Sequence, residues 1–325
     1  MAAYLIIQTA FIGDVILATS VAESIHKTNP EASIDMVVRK GNEGLLANHP
    51  FIRRVITWEK RENKLPNLLR TIREIRKTEY DRVINLQRFF STGWMTWRSR
   101  ANEKWGFKKN PLAFTFSGTA EHEISQGVHE VDRNHRLIAD VAGDQPVPPR
   151  LYPTADDERS IQPYLHGPYV CMAPASVWFT KQLPAEKWLE LIRNISADLT
   201  IYLLGGKSDY DLCEMLVTKA TGSKIINVAG KLNFLESAAL MKQARMNYVN
   251  DSAPLHMATA MNAPVTAFFC STTPDFGFGP RSSDSTISQA NPAPSCKPCG
   301  LHGLSSCPQK HFRCALEIET SRVAV

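Results

Sequence analysis

The chain has 325 residues, of which 43% are hydrophobic and 21% are charged, and this ordinary globular composition excludes a wholly disordered protein. Its length predicts about two domains. No apolar run approaches the roughly 18 residues of a membrane span, and residues 4–7 are too few for the core of a signal peptide, so we expect a cytoplasmic protein. The net charge of +5 lies entirely within residues 1–155, because residues 156–325 hold equal numbers of basic and acidic side chains.

The first half of the chain alternates predicted strands with predicted helices. Hydrophobic periodicity predicts strands at 4–8, 34–38, 55–58 and 82–86, and helices at 14–27 and 65–78. This alternation is typical of a parallel sheet with helical crossovers.

A cluster of prolines at positions 146, 148, 149 and 153 predicts a linker, after which the alternation restarts. Further strands are predicted at 169–173, 200–204, 225–227, 247–250 and 265–269, with helices at 185–195, 210–221, 234–244 and 254–261. We therefore predict an α/β protein with two Rossmann-like domains, residues 1–155 and 156–325. Such sheets bind ligands at the loops after their strands.

Basic residues are concentrated between positions 53 and 109, where 16 basic residues stand against 6 acidic ones. Such a stretch favours a phosphate-rich or membrane-surface partner. The spacing of Arg70, Arg73, Arg76 and Lys77 fits one helical surface, which could equally be a solvated face. We expect no nucleic-acid partner, since the sequence has no helix-turn-helix, RNA-binding or zinc-finger pattern.

The loop after the first predicted strand ends in Gly13-Asp14. A carboxylate at the edge of a cleft could act as a general base. The alternative is that Asp14 only caps the helix that it begins, and spacing alone favours this alternative.

Three later loops carry groups that suit an anion. Ser176, Thr180 and Lys181 precede a predicted helix, where two hydroxyls and an ammonium would suit a phosphate. Asp251-Ser252 stands at the start of another helix, whose backbone N–H groups could bind an anion. These residues could instead be a solvated lysine and ordinary helix caps. The remaining candidates are Gly206, which follows the strand predicted at 200–204 and could admit a nucleotide, and Ala253 and His256, which follow Ser252.

Four of the seven cysteines lie close together near the C-terminus, at positions 296, 299, 307 and 314. Cys296, Cys299, Cys307 and Cys314 provide enough ligands for a tetrahedral structural zinc. The alternative is a set of reduced thiols in a packed segment, because the second pair lacks the usual close spacing.

Taken in this order, the loops resemble those of the heptosyltransferase family, glycosyltransferase family 9. The resemblance covers nearly the whole chain. It is carried by Ile12-Gly13-Asp14-Val15, by Ser176, Thr180-Lys181, Pro184 and Trp188, and by Asn250-Asp251-Ser252 with His256–Ala260 and Pro264. Two positions depart from the family's usual pattern, which has Gly where Ala253 stands and Trp where Leu183 stands.

The resemblance implies a GT-B fold, in which two Rossmann-like domains face a central cleft. It implies an inverting, metal-independent transfer of a sugar, typically heptose from ADP-heptose, to a lipopolysaccharide core or another anionic lipid-linked acceptor. The acceptor would bind the first domain, whose basic stretch would face the acceptor or the inner face of the inner membrane. The implied roles are general base for Asp14, donor-phosphate binding for Ser176, Thr180 and Lys181, a second diphosphate contact for Asp251, Ser252, Ala253 and the nearby His256, and ribose binding near Gly206 by Asp209 or Asp211.

Two other functions fit parts of the sequence. A nucleotide-sugar-binding protein without turnover would keep the donor loops, although the retention of Asp14 argues against it. A nucleic-acid-binding protein with a zinc tail would use the basic stretch, but no aromatic residues alternate with basic ones as they do in strand-binding grooves.

Overall fold

The computed structural model describes residues 2–124 and 127–325, and the chain divides into two compact units between Tyr152 and Pro153. The first unit contains strands β1 (Ala3–Gln8), β2 (Ser33–Arg39), β3 (Ile52–Trp58), β4 (Glu79–Asn85), β5 (Arg100–Phe107) and β6 (Gly118–Ala120). Its helices are α1 (Ile12–Thr28), α2 (Lys64–Ile75), α3 (Phe90–Arg98), α4 (Glu130–His135) and α5 (Ala139–Ala142).

The second unit repeats this arrangement. Its strands are β7 (Tyr169–Ala173), β8 (Thr200–Leu203), β9 (Lys224–Asn227), β10 (Asn247–Asn250), β11 (Val265–Phe268) and β12 (Ser285–Ser288). Its helices are α6 (Ala155–Ser160), α7 (Ala185–Asn194), α8 (Tyr210–Lys219), α9 (Phe234–Gln243), α10 (Ala253–Ala260) and α11 (Arg313–Leu316).

Both sheets have six parallel strands, in the orders β3-β2-β1-β4-β5-β6 and β12-β11-β10-β7-β8-β9. The predicted α/β class with two Rossmann-like domains is confirmed. In each sheet the strand order reverses at the first strand of the unit, between β1 and β4 and between β7 and β10. In open α/β sheets, ligands bind at the carboxyl ends of the strands beside such a reversal.

Each sheet is covered by apolar helix faces. In the first unit, α1 is buried around most of its circumference because it contacts β1 on one side and α4 and α5 on the other. In the second unit, Trp188 of α7 is fully buried and meets Phe268 edge-on, with ring centroids 5.4 Å apart. Helix α2 is amphipathic and leaves Arg70 and Arg73 exposed, as expected of a solvated or anion-facing surface.

The proline-rich stretch before the second unit is not a free linker. The Val147 and Arg150 backbone N–H groups donate to the hydroxyls of Ser24 and Thr19 on α1, at 2.9 and 3.0 Å. Leu151 is buried. Hydrogen bonds to α1 therefore hold the chain on the first unit until Tyr152, three residues before the predicted domain boundary.

Within the described ranges, no helix combines the length and apolar character that crossing a membrane requires.

Candidate functional site

Asp14 lies in the first turn of α1, immediately after the loop that leaves β1. The helix begins at Ile12 rather than at Asp14, so the predicted start was two residues late. The Phe11 backbone N–H donates to Asp14 Oδ2 at 3.2 Å, an N-terminal capping bond. The side chain is only half-buried, so the carboxylate both caps the helix and remains accessible at the carboxyl edge of the first sheet.

Lys60 lies beside this loop and was not singled out from the sequence. Its Nζ donates to the Thr9 carbonyl at 2.5 Å and lies 4.9 Å from the centre of the Trp58 ring. Burial lowers the pKa of Lys60 to about 8, and the positive charge of Arg39 adds to this effect while the Asp14 carboxylate opposes it. Lys60 lies just beyond the last residue of β3, so its position at a strand end was the available signal.

Buried amides lie at the carboxyl edge of the first sheet. Gln8 at the end of β1 accepts a hydrogen bond at 2.5 Å from Gln87, two residues beyond β4. Gln8 Oε1 also accepts from the Ala10 backbone N–H at 3.2 Å, and the Gln87 carbonyl accepts from Asn110 at 3.1 Å. These bonds hold the loop before Asp14 to the neighbouring strand end.

In the second unit, Asn250 joins the two loops at the switch point of the sheet. Its side-chain amide donates to the Pro174 carbonyl at 2.9 Å, and its Oδ1 accepts from the Leu183 backbone N–H at 2.9 Å. The Ser176 backbone N–H donates to Gln182 Oε1 at 3.3 Å, which closes the same loop on itself. The loop 174–184 is therefore fixed against the end of β10.

Lys181 and Asp251 form an ion pair at this point. The Lys181 Nζ lies 2.7 Å from Asp251 Oδ2, and the two side chains are only 16% and 6% exposed. The Thr272 hydroxyl also donates to Asp251 Oδ2, at 2.6 Å. An ammonium group has three donors, so the pair with Asp251 uses one of them.

The helix α10 begins next to this ion pair. Ser252 is its N-cap residue, and Ala253 and Pro254 begin its first turn. The predicted helix start at 254 was therefore one residue late. Ser252 and Ala253 are half-buried, whereas His256 is buried and lies edge-on to Phe278, with ring centroids 6.3 Å apart. Lys181, Asp251 and the N-terminus of α10 thus form a compact polar cluster that could bind a diphosphate.

Two other candidate residues are engaged in local structure. Thr180 is 1% exposed, and its hydroxyl accepts hydrogen bonds from the Leu304 backbone N–H at 2.7 Å and from the Ser271 hydroxyl at 2.9 Å. Asp209 Oδ2 accepts from the Gly206 backbone N–H at 2.8 Å and so closes the turn after β8. Asp211 is exposed in the first turn of α8.

The four cysteines of the C-terminal segment 296–314, called the cysteine tail below, are free thiols. Cys296 Sγ lies 3.8 Å from His311 Nε2, and Cys314 is buried. Burial opposes ionisation of Cys307, but backbone N–H groups from Gln309 to Phe312 lower its pKa overall. Among residues 2–124 and 127–325, no three His, Cys, Asp or Glu side chains are grouped in a way that could hold a metal ion.

The chain is similar to known heptosyltransferases. The Pseudomonas aeruginosa lipopolysaccharide heptosyltransferase 1 is 26% identical over 292 residues, which cover 84% of this chain and 79% of that protein. The structure of Escherichia coli ADP-heptose lipopolysaccharide heptosyltransferase II matches with a TM-score of 0.77 at 18% identity, over 96% of this chain and 97% of that one.

A third match is E. coli heptosyltransferase WaaC with ADP-2-deoxy-2-fluoro heptose, with a TM-score of 0.70 at 19% identity, over 89% of this chain and 93% of that one. These neighbours confirm the predicted two-domain GT-B architecture. The family model of glycosyltransferase family 9 (heptosyltransferase) matches residues 68–301, most of the chain. The protein is therefore a glycosyltransferase, and it belongs to family 9, the heptosyltransferase family.

Proposed function

We propose that this protein transfers heptose from ADP-heptose to the core of lipopolysaccharide or to a related lipid-linked acceptor, with inversion at the anomeric carbon. The observation that carries the proposal is the pairing of Lys181 with Asp251 beside the start of α10. The similar proteins are lipopolysaccharide heptosyltransferases, which supports heptose as the sugar and lipopolysaccharide as the acceptor. The similar WaaC structure contains ADP-2-deoxy-2-fluoro heptose, which supports an ADP-sugar as the donor.

The second unit would hold the donor and stabilise its leaving group. As the bond between the anomeric carbon and the diphosphate oxygen breaks, negative charge develops on ADP. Lys181 would donate to that charge, and the N-terminus of α10, with Ser252 and Ala253, would add backbone N–H groups. We propose that these groups suffice and that the transfer needs no divalent metal. Asp251 would hold the ammonium in place rather than contact a like-charged phosphate.

Asp14 would activate the acceptor. Its carboxylate takes the proton of an acceptor hydroxyl while that oxygen attacks the anomeric carbon from the face opposite the diphosphate. At the anomeric carbon, the bond to the acceptor oxygen forms while the bond to the diphosphate oxygen breaks. ADP therefore leaves and the configuration inverts. The half-buried position of Asp14 at a strand end supports this role. Lys60 would place a positive charge next to the acceptor site, which suits an anionic glycolipid.

We also propose that the first unit touches an anionic membrane surface. Phe89, Phe90 and Trp97 are 61%, 56% and 47% exposed, and all three belong to α3 or its N-cap. The basic stretch between positions 53 and 109, which includes α3, supplies charge for anionic lipids. In sedimentation with phosphatidylglycerol vesicles, Phe90→Ser should reduce binding, whereas Ile287→Ser on the second unit should not. Equal binding by both variants would contradict this contact.

The structural zinc stays a prediction for the cysteine tail. Cys296 and His311 lie close enough to share an ion, and thiolate and imidazole are ligands that zinc prefers. A third ligand would have to move toward them. Elemental analysis of protein purified without a histidine tag tests it, with about one zinc per chain as the predicted result and a metal-free, fully stable protein as the contrary one.

A thermal-shift panel of ADP-, GDP-, UDP- and dTDP-sugars tests the proposed donor. A ligand at 100 times its Kd adds about 2.7 kcal/mol of stability, which corresponds to a rise of about 5–10 °C in the Tm of a unit of this size. We expect ADP-heptose to give the largest shift and to be consumed when a heptose-free lipopolysaccharide core is added. A flat panel would refute the proposal, and binding without transfer would identify a nucleotide-sugar-binding protein.

A further inference from the structure

The cysteine tail crosses directly over the loop that carries Lys181. The Thr180 backbone N–H donates to the Leu304 carbonyl at 3.1 Å, and the Leu304 backbone N–H donates back to the Thr180 hydroxyl at 2.7 Å. These reciprocal bonds join two segments that lie more than 120 residues apart in the sequence. The residue next to Lys181 is thus held by the tail.

Ser271 closes this connection into a network. Its hydroxyl donates to the Thr180 hydroxyl at 2.9 Å, and its backbone N–H donates to the Thr180 carbonyl at 3.2 Å. The Ser271 carbonyl in turn accepts from the Cys299 backbone N–H at 3.0 Å. Since Thr180 is 1% exposed, its hydroxyl is enclosed by this network and faces protein groups.

Gly303 packs against the lysine itself. Its φ is +76°, and a Cβ built on it would lie 2.8 Å from Lys181 Cγ and 2.9 Å from Trp178 Cβ. Both of these atoms are close to the backbone of the loop, so a methyl group at position 303 could be accommodated only if the loop moved. The absence of a side chain at Gly303 is what lets the tail lie flat on the stem of Lys181.

The tail is also anchored on either side of this contact. The Lys297 ammonium donates to the Phe269 carbonyl at 2.7 Å, just beyond the end of β11. On the other side, Phe312 stacks on Phe179 with ring centroids 5.2 Å apart. The segment between these anchors is therefore held at both ends against the end of β11 and the loop of Lys181.

We infer that two tail residues, Gly303 and Leu304, form a positioning element for donor binding: Gly303 packs on Lys181 and Leu304 acts through Thr180, and together they fix the loop so that the Lys181 ammonium meets the donor diphosphate. The inference rests on the proposed function of Lys181. It changes the role expected of Thr180, whose hydroxyl binds the tail and Ser271 rather than the donor. Gly303 and Thr180 are accordingly positioning residues.

The test compares Gly303→Ala with two glycine controls. Gly222 has a similar φ of +82° and Gly300 lies in the same tail with φ of +143°, and a Cβ at either would meet no atom within 4 Å. All three substitutions therefore carry backbone strain, but only Gly303→Ala displaces the loop. The readouts are the Kd for ADP, the KM for each substrate, kcat and Tm.

We expect Gly303→Ala to weaken ADP binding and raise the donor KM by roughly 10- to 100-fold, because small displacements of a binding group are costly. The acceptor KM should not change, whereas Tm should fall somewhat further than in Gly222→Ala and Gly300→Ala, because only Gly303→Ala adds a steric clash to the backbone strain. Donor affinity equal to that of the two controls would overturn the inference. Failure of the unsubstituted protein to bind any nucleoside diphosphate would instead refute the proposed function, and this inference with it.

A second pair of variants tests Thr180. Thr180→Ser keeps the hydroxyl that accepts from Leu304, whereas Thr180→Val keeps the shape and removes it. We expect Thr180→Val to weaken ADP binding in the way Gly303→Ala does, and Thr180→Ser to retain most of the affinity. If both variants bind ADP like the unsubstituted protein, the network does not position Lys181.

Discussion

Replacement of Lys181 by methionine should affect stability and catalysis by separable amounts. The substitution leaves the buried Asp251 carboxylate with a hydrogen bond from Thr272 but without its ammonium partner. Breaking a buried ion pair costs about 3–5 kcal/mol. The 16% exposure of Lys181 and the remaining Thr272 bond put the expected loss near the lower limit, about 3 kcal/mol. For a unit of this size, that loss corresponds to a Tm decrease of roughly 6–12 °C.

The catalytic effect has a different origin. Removal of one preorganised donor to a developing negative charge costs about 2.7–4 kcal/mol of barrier, which is a 100- to 1000-fold lower kcat. The double variant Lys181→Met/Asp251→Asn has no unpaired carboxylate. It should therefore regain most of the lost Tm and none of the lost kcat.

The assay is a double-mutant cycle that measures urea unfolding and heptose transfer on the same four proteins. The stability cycle should give a coupling energy of about 2 kcal/mol, within the usual range for contacting residues. Recovery of activity in the double variant would show that Lys181 serves only to neutralise Asp251, and would refute the role assigned to it in transfer. A coupling energy near zero would refute the ion pair.

Three further predictions concern the first unit. Asp14→Asn can still accept from the Phe11 backbone N–H, so transfer should fall by about 100- to 10,000-fold with little change in Tm. Lys60 has a pKa lowered to about 8 by burial, so the free energy of unfolding should rise between pH 8 and 10.5. Lys60→Met should accordingly raise Tm at pH 7 and lose that advantage at pH 10. Burial opposes ionisation of Asp35, but the Arg53 hydrogen bonds prevail and lower its pKa. The ionised Asp35 carboxylate should therefore stabilise the fold fully at pH 7 and lose this effect as the pH falls below the ordinary pKa range of an aspartate. The Tm deficit of Asp35→Asn should accordingly shrink toward pH 2. An unchanged rate in Asp14→Asn, or Tm differences independent of pH in the other two, would contradict these predictions.

The fold could be predicted where buried strands alternate with amphipathic helices. Strands β7 and β10 lie at the predicted positions, since each is a fully buried run that is followed by a proline or a charged residue. The strand β5 was missed because six of its eight residues are at least partly exposed, which hides the apolar signal. The edge strand β12 was missed for the same reason, as three of its four residues are exposed.

The site could be predicted only as separate loops. Lys181 and Asp251 each stand after a strand, but their contact depends on β7 and β10 being neighbours, which the sequence does not state. Lys60 was counted only as part of a basic stretch, because nothing local marks its bond to the Thr9 carbonyl. The packing of Gly303 on Lys181 joins distant segments, and no periodicity or motif carries that information.

In the proposed reaction, a carboxylate in the first unit activates the acceptor and an ion pair in the second unit binds the donor. The most direct test of this proposal is isothermal titration of Asp14→Asn with ADP-heptose, in parallel with its transfer rate to a heptose-free lipopolysaccharide core. We expect a donor Kd within about twofold of that of the unsubstituted protein, with transfer at least about 100-fold slower. Donor affinity lost together with transfer, or transfer retained, would contradict it.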